Sequence, residues 1–206
     1  SRGLGDVYKR QMHDDKLTYG KIYGQEKNLA TSAIARMNLF LHGARDFKVT
    51  QGDTLRSPNY LERGSLQTFD CVVANPPFSL KNWGAEQFSS DIYGRNIWGC
   101  PTDSNGDFAW LQHMIYHLAP GGRMGMVLAN GSLSSQSGGE GEIRKNIVNA
   151  DLVDCIIAMP TQLFYTTQIP VSLWFISKRK KQPSKTLFID ARKMGVMVSR
   201  KLRELT

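Results

Sequence analysis

Short apolar runs alternate along the chain with longer stretches in which apolar residues recur every three or four positions. That alternation predicts strands interleaved with helices. Lys21-Ile22-Tyr23-Gly24-Gln25 reads as the first strand. Asn28 stands where a helix cap is expected, ahead of an apolar face of Ala30, Ala33, Ile34, Met37 and Leu41, and Gly43 is placed to end that helix. Phe47-Lys48-Val49-Thr50 predicts a second strand that runs into Gly52-Asp53-Thr54. Phe69-Asp70-Cys71-Val72-Val73-Ala74 predicts a third, and its nearly continuous apolar centre implies cover on both faces.

Residues 79–106, rich in Gly, Ser and Asn, read as a long loop. Asp107 is expected to cap a helix through His117, after which Pro120-Gly121-Gly122 turns the chain into a strand over 123–128. A helix over 140–149 and a strand over 152–159 follow. Residues 171–177 and 186–189 read as a final strand pair, separated by the basic turn Lys178-Arg179-Lys180-Lys181. Strands and helices in this order, with Gly or Pro at the switches, predict an α/β domain with a mostly parallel sheet. Residues 1–15 fit no element and are set aside as an arm or a sequence scar, so the domain is taken as residues 16–206.

Composition narrows the class. The chain has 206 residues, enough for one domain of ordinary size. Its net charge of +8 suits a polyanionic partner without identifying one. No apolar run reaches the roughly 18 to 20 residues a membrane helix needs, and the first ten residues do not form a secretory signal. Three cysteines, Cys71, Cys100 and Cys155, form no close pair. Cys71 and Cys155 lie in apolar runs and read as small buried hydrophobes in a reducing compartment. A cytoplasmic protein is expected.

The sharpest chemical signal is Asn75-Pro76-Pro77-Phe78, directly after the third strand. Open parallel sheets bind ligands at the carboxyl ends of their strands. Two prolines hold the backbone extended and remove two N–H donors, which leaves carbonyl acceptors beside the Asn75 side-chain oxygen. A planar amine placed there can donate one hydrogen to Asn75 and one to the Pro76 carbonyl, while Phe78 stacks on the ring that bears it. The plainer alternative is a stiff loop with a buried aromatic. Other features weigh less. His113 and His117 share a helical face, but the Glu of a zinc protease and a third ligand are both missing, so a polar helix face is expected and no metal. Gly138-Gly139-Glu140-Gly141 follows no strand as a phosphate loop would. The run Lys178 to Lys181 reads as a solvated turn that can also touch phosphate. A dinucleotide oxidoreductase is disfavoured, because no G-x-G-x-x-G follows a strand.

With these motifs in view, the chain resembles the amino-group DNA methyltransferases, and specifically the methylation subunit of type I restriction-modification systems. The resemblance is carried by Ile22-Tyr23-Gly24-Gln25-Glu26, Met37-Asn38-Leu39, Gly52-Asp53-Thr54-Leu55, residues 69–78 and residues 108–123. It continues through Glu142-Ile143-Arg144-Lys145, Gln162-Leu163-Phe164-Tyr165, Ile169-Pro170-Val171 and Phe188-Ile189-Asp190. It implies a Rossmann-like S-adenosylmethionine-dependent methyltransferase fold and N6 methylation of a flipped adenine in double-stranded DNA.

Carried over by residue, the resemblance implies that Glu26 accepts from the cofactor's ribose hydroxyls and that Asp53, with Thr54 beside it, holds the cofactor's adenine amine. Asn75 would lie against both cofactor and base. Asn75, Pro76, Pro77 and Phe78 form the catalytic segment, and Phe164 or Tyr165 is a second stacking face. Structural roles stay open: Glu26 as a carboxylate near a helix start, Asp53 as a turn former, and either aromatic as core. Implied partners are a specificity subunit, a second methylase subunit and a restriction subunit. The family's glycine-rich cofactor turn has no match ahead of Ile22, so the expectation is a sheet truncated at its N-terminal strand and a partial catalytic domain inactive alone. Two alternatives remain: an amino methyltransferase of protein glutamine or RNA, and a non-catalytic fragment that packs on subunits or binds DNA by charge.

Overall fold

The computed structural model describes residues 22–165 and 167–205. The arm expected over residues 1–15, and Lys21 of the first strand, lie outside them. The chain divides into two units, residues 1–67 and 68–206.

In the first unit, β1 (Ile22–Glu26) leads through helix α1 (Leu29–Leu41) to β2 (Phe47–Gln51), and the two strands pair in parallel with Glu26 opposite Gln51. Asn28 caps α1 as expected, its side chain accepting from the Thr31 N–H at 3.0 Å. Gly43, at φ 79°, closes the helix, with its own N–H bonded to Phe40 and that of Ala44 to Leu39. The predicted apolar face of α1 is corrected. Ser32, Ala35 and Leu39 are the buried residues, and Ala35 and Leu39 cluster with Val49 of β2. Ala30, Ala33, Ile34, Met37 and Leu41 are exposed among the described residues. Helical period located the helix, but two apolar stripes competed. Ser32 could be buried because its hydroxyl donates to the Leu29 carbonyl at 3.0 Å. A short hairpin, β3 (Leu61–Glu62) and β4 (Ser65–Leu66), ends the unit.

The second unit begins with β5 (Phe69–Ala74), followed by α2 (Ala85–Ser89), α3 (Asp107–Tyr116) and β6 (Leu118–Ala129). After α4 (Glu140–Asn149) come β7 (Val153–Ala158), β8 (Val171–Ser177), β9 (Leu187–Asp190), and a small hairpin of β10 (Val196–Met197) and β11 (Arg203–Glu204). The sheet order is β5-β6-β8-β7-β9. Four strands run one way and β8 runs against both of its neighbours. The core lies between α3, α4 and the sheet, built on Phe108, Leu111, Leu118, Met126, Ile147 and Trp174. Among the described residues, no helix is long and apolar enough to cross a membrane.

Several expectations change here. Strands β8 and β9 are not partners: β8 lies between β6 and β7, and β9 pairs in parallel with the far edge of β7. The basic run therefore carries the chain past β7. Lys180 is tied there to Asp151 at 2.6 Å with its side chain buried, and Lys178 donates to the Leu118 carbonyl. Only part of that run is a solvated turn. Cover on both faces of β5 is also corrected, since Cys71 and Val73 are exposed while Val72 joins the core and Phe69 packs against it. The strand forms one edge of its sheet, so its apolar run overstated its burial. Cys155 is half-buried. Strand β6 reaches back through Pro120-Gly121-Gly122 to Leu118, with an irregular register opposite Phe69 and Cys71 absorbing the extra residues. A Cβ on Gly122 would sit 3.0 Å from the carbonyl oxygens of Ala119 and Phe69, which explains a glycine at that bulge. Finally, Asp107 is not the cap of α3. Gly106 holds that position, and the Asp107 carboxylate turns elsewhere.

Candidate active site

Glu26 ends β1, and Asp53 follows β2 by two residues, so the parallel register delivers both carboxylates to one end of the pair. Glu26 Oε1 accepts from the Asn28 N–H at 2.8 Å, which orients the carboxylate, and its second oxygen has no hydrogen bond among the described residues. Asp53 Oδ1 accepts from the Arg56 N–H at 3.2 Å, and its Oδ2 lies 2.9 Å from the Lys27 ammonium. Partial burial alone would raise the Asp53 pKa. The Lys27 hydrogen bond, the Arg56 N–H and both positive charges outweigh it, so the carboxyl is held below its usual range. Thr54 Oγ1 lies 3.5 Å from the Gln25 carbonyl. Glu26, Asp53 and Thr54 are thus brought to one strand end, and Asp53 is already engaged by this chain's own lysine.

The segment that carries Asp53 is fastened by residues that motif reading passed over. Gln25 donates to the Ser57 carbonyl at 2.7 Å and accepts from the Asn59 N–H at 2.9 Å. The Tyr60 hydroxyl lies 2.6 Å from the carbonyls of Gly24 and Lys48. A Cβ at Gly52 would fall 2.8 Å from Gln25 Nε2 and 2.9 Å from Asn59 Nδ2, so a larger residue there would displace the two amides that fasten the turn. The signal in the sequence was the polar pair Gln25 and Asn59 flanking an otherwise ordinary turn.

In the second unit, Asn75-Pro76-Pro77-Phe78 leaves the carboxyl end of β5. Pro76 is buried, Pro77 exposed, and Asn75 half-buried with no hydrogen bond to its side-chain amide among the described residues. The Phe78 ring lies 6.4 Å from that of Phe164 at an interplanar angle of 60°. Both pack on the cluster of Met159, Val171 and Ala191. Phe164 therefore touches Phe78 directly, whereas Tyr165 is 81% exposed. Directly after Phe78, Ser79 adopts a left-handed backbone (φ 51°) and its N–H donates to Asp107 Oδ1 at 2.9 Å. Asn130, just past the carboxyl end of β6, has a buried Oδ1 without a partner among the described residues.

The two histidines do not form the expected polar face. His113 and His117 are buried with ring centroids 4.6 Å apart, and the buried Arg95 reaches His113 Nδ1 at 3.1 Å. No group of three potential metal ligands occurs among the described residues. Gly138 and Gly139 belong to a tight turn that leads into α4.

The chain is similar to known proteins. The N-6 DNA Methylase family model matches residues 6–206. The type I restriction enzyme HindI methylase subunit of Haemophilus influenzae is 45% identical over 195 residues, covering 94% of this chain and 43% of that protein. The MjaIX methylase subunit of Methanocaldococcus jannaschii is 40% identical over 192 residues, covering 90% of this chain and 33% of its own length. The chain thus spans less than half the length of these relatives. The crystal structure of a type I restriction-modification methyltransferase subunit from Streptococcus thermophilus superposes with a TM-score of 0.88 at 29% identity, covering 100% of this chain and 44% of that one. A Listeria monocytogenes protein described as a class I S-adenosylmethionine-dependent methyltransferase shares the fold, with a TM-score of 0.65 at 16% identity over 92% of this chain and 56% of that one. This chain belongs to the N-6 DNA methylase family.

Proposed function

We propose that this chain forms part of the catalytic domain of a type I restriction-modification methylase subunit, which methylates the N6 amine of adenine in DNA. The observation that carries the reading is the Asn75 amide. It is half-buried and without a partner of its own among the described residues, and it stands at a strand's carboxyl end beside two prolines and an aromatic ring.

The adenine amine is a poor nucleophile because its lone pair is delocalised into the ring. Hydrogen bonds from that amine to Asn75 Oδ1 and the Pro76 carbonyl draw the nitrogen toward tetrahedral geometry and stabilise positive charge as it develops. No strong base is needed beside it, since the methylated nitrogen loses its extra proton readily to solvent. Reaching this site requires the base to leave the duplex, and Phe78 gives it a stacking face, with Phe164 bracing Phe78 and Tyr165 exposed as a second face.

S-Adenosylmethionine, when bound, supplies an electrophilic methyl group. Acceptor-only carboxylates suit its ribose diol and adenine amine, and the second oxygen of Glu26, without a hydrogen bond among the described residues, fits the diol. Asp53 fits the amine once Lys27 moves aside, with Thr54 beside it. The partners on this reading are double-stranded DNA, a specificity subunit that reads the site, a second methylase subunit and a restriction subunit.

The test uses the full-length subunit with its specificity subunit and methyl-labelled cofactor, offered unmodified DNA, RNA or a glutamine-containing peptide. Label on DNA adenine, lost in Asn75→Ala by a hundredfold or more, is expected. Label on RNA or peptide, or near-normal turnover in Asn75→Ala, would overturn the reading.

A further inference from the structure

We propose that Asp107 is a positioning residue for the Asn75–Phe78 segment, acting through the backbone N–H of Ser79. The inference rests on the catalytic reading of Asn75 given above. Asp107 is the first residue of α3 and is 2% exposed, yet it does not cap its helix. Its carboxylate instead reaches across 28 residues of sequence to the N–H that immediately follows Phe78, at 2.9 Å. A charged acceptor makes that bond about twice as strong as a neutral one.

The bond falls where the backbone needs it. Ser79 sits at φ 51°, a left-handed conformation that a non-glycine residue adopts only at a cost. The prolines hold the segment stiff up to Phe78, so the turn at Ser79 is the joint that aims it. One residue on, the Leu80 carbonyl accepts from the Gly106 N–H at 2.9 Å, and the Asn82 N–H donates to Asp103 at 2.9 Å. Residues 79–82 are therefore laced to residues 103–107 at the start of α3, with Asp107 as the contact nearest the site.

Asp107 is itself held. Its own N–H donates to Asn105 Oδ1 at 3.1 Å, and Asn105 Nδ2 donates to Glu140 Oε1 at 2.7 Å. Glu140 is buried at the start of α4. A chain of named contacts thus runs from α4 to the joint beneath Phe78. Burial, then the nearby Glu140 charge, push the Asp107 pKa up against the hydrogen bonds that lower it. A neutral acceptor at this position should therefore be tolerated.

The experiment measures single-turnover methylation and cofactor KM in the full-length subunit assembled with its specificity subunit. The variants are Asp107→Ala, Asp107→Asn and Asp107→Ser, with Asn75→Ala in parallel and thermal unfolding followed for each. A mis-aimed reacting group can cost on the order of a hundredfold in rate. Asp107→Ala is expected to lose about ten- to a hundredfold in kcat with cofactor KM within about threefold. Asp107→Asn, which keeps an acceptor for Ser79, should regain activity to within about fivefold. Asp107→Ser is too short to reach Ser79 and should behave like the alanine variant; it stands in if alanine at this position does not fold. A fall in melting temperature with kcat per folded molecule unchanged, or an asparagine variant as impaired as serine, would overturn the positioning role. Failure of Asn75→Ala to reduce turnover would instead overturn the catalytic reading beneath it.

Discussion

Arg95 and His113 meet at 3.1 Å between the guanidinium Nη1 and the imidazole Nδ1, inside a part of the fold that excludes water from both. A guanidinium can only donate, so Nδ1 of His113 must accept, and the ring is neutral with its proton on Nε2. The pair joins the loop over residues 79–106 to α3. Here the loop and the helix face that the sequence reads as polar meet in a buried contact, with Arg95 also lying over the Phe88 ring at 5.1 Å.

Stability should fall on the acid side because of this pair. Burial first, then the charges of His117 and Arg95, hold the His113 pKa well below its usual value of 6.5. The unfolded chain therefore binds a proton at His113 from about pH 6.5 downward while the folded protein does not. Stability from this group is complete above that pH and lost as pH falls toward the folded pKa, by up to about 1.4 kcal/mol per pH unit. Urea unfolding of the subunit between pH 7.5 and 5 should show that slope. His113→Gln keeps an acceptor for Arg95 and should shrink it. An unchanged slope in the variant would place the titrating group elsewhere.

Arg95 is also paired with Asp91 at 2.6 Å, and the two side chains are 3% and 4% exposed. Asp91→Ala removes the Asp91 carboxylate from a buried guanidinium, a loss that typically costs about 3–5 kcal/mol. Replacing both, as in Asp91→Leu with Arg95→Met, removes the charge as well and should lie closer to wild type than the single variant. Chemical denaturation of Asp91→Leu, Arg95→Met and the variant carrying both measures the coupling. A cost below about 1 kcal/mol for Asp91→Ala would mean that water screens the pair.

How much of this was legible in the sequence depended on how local the cause was. Helix α1 was visible because Asn28 and Gly43 act within one turn of its ends. Its buried face was not, because a seryl hydroxyl satisfied within its own helix can be buried as readily as an apolar side chain. Strands β5, β7 and β8 were visible as apolar runs, but the antiparallel insertion of β8 depends on non-local pairing with both β6 and β7. The segment Asn75-Pro76-Pro77-Phe78 and the paired ends of β1 and β2 were legible because their chemistry is sequential. The Ser79–Asp107 and Arg95–His113 contacts join distant residues, and no local pattern announces them.

Lys27 should act as a weak competitor for the cofactor. Its ammonium occupies Asp53 Oδ2 at 2.9 Å, although the lysine side chain is largely exposed. Exposed ion pairs of this kind are worth roughly 0.2–1 kcal/mol, so Lys27→Met should tighten cofactor binding by at most about fivefold. The gain should diminish as salt is raised, because salt screens the wild-type pair. Titration calorimetry of the full-length subunit with S-adenosylmethionine at low and high salt reads both effects. Weaker binding by the variant would mean that Lys27 contacts the cofactor and does not merely compete for Asp53.

Phe78 and Phe164 should divide the aromatic work unequally. Their centroids are 6.4 Å apart and their planes are inclined at 60°, so Phe164 touches the ring of Phe78 and leaves no gap between them for a base to enter. Phe78 directly follows the prolines, so on the proposed reading it is the ring that stacks on the flipped adenine, and stacking contributes roughly 1–3 kcal/mol per base. Phe78→Ala should then weaken capture of the extruded base by about five- to a hundredfold or more, while Phe78→Trp keeps a stacking face and should lose far less. Phe164→Leu removes an aromatic contact worth about 0.5–1.5 kcal/mol and should give an intermediate loss by loosening Phe78. Tyr165, exposed and outside this pair, should affect capture only if it closes over the base from the other side. Fluorescence of 2-aminopurine at the target position follows extrusion in each variant of the assembled subunit. Equal behaviour of Phe78→Ala and Phe78→Trp would remove stacking from the role of Phe78, and a loss in Phe164→Leu as large as in Phe78→Ala would transfer the stacking face to Phe164.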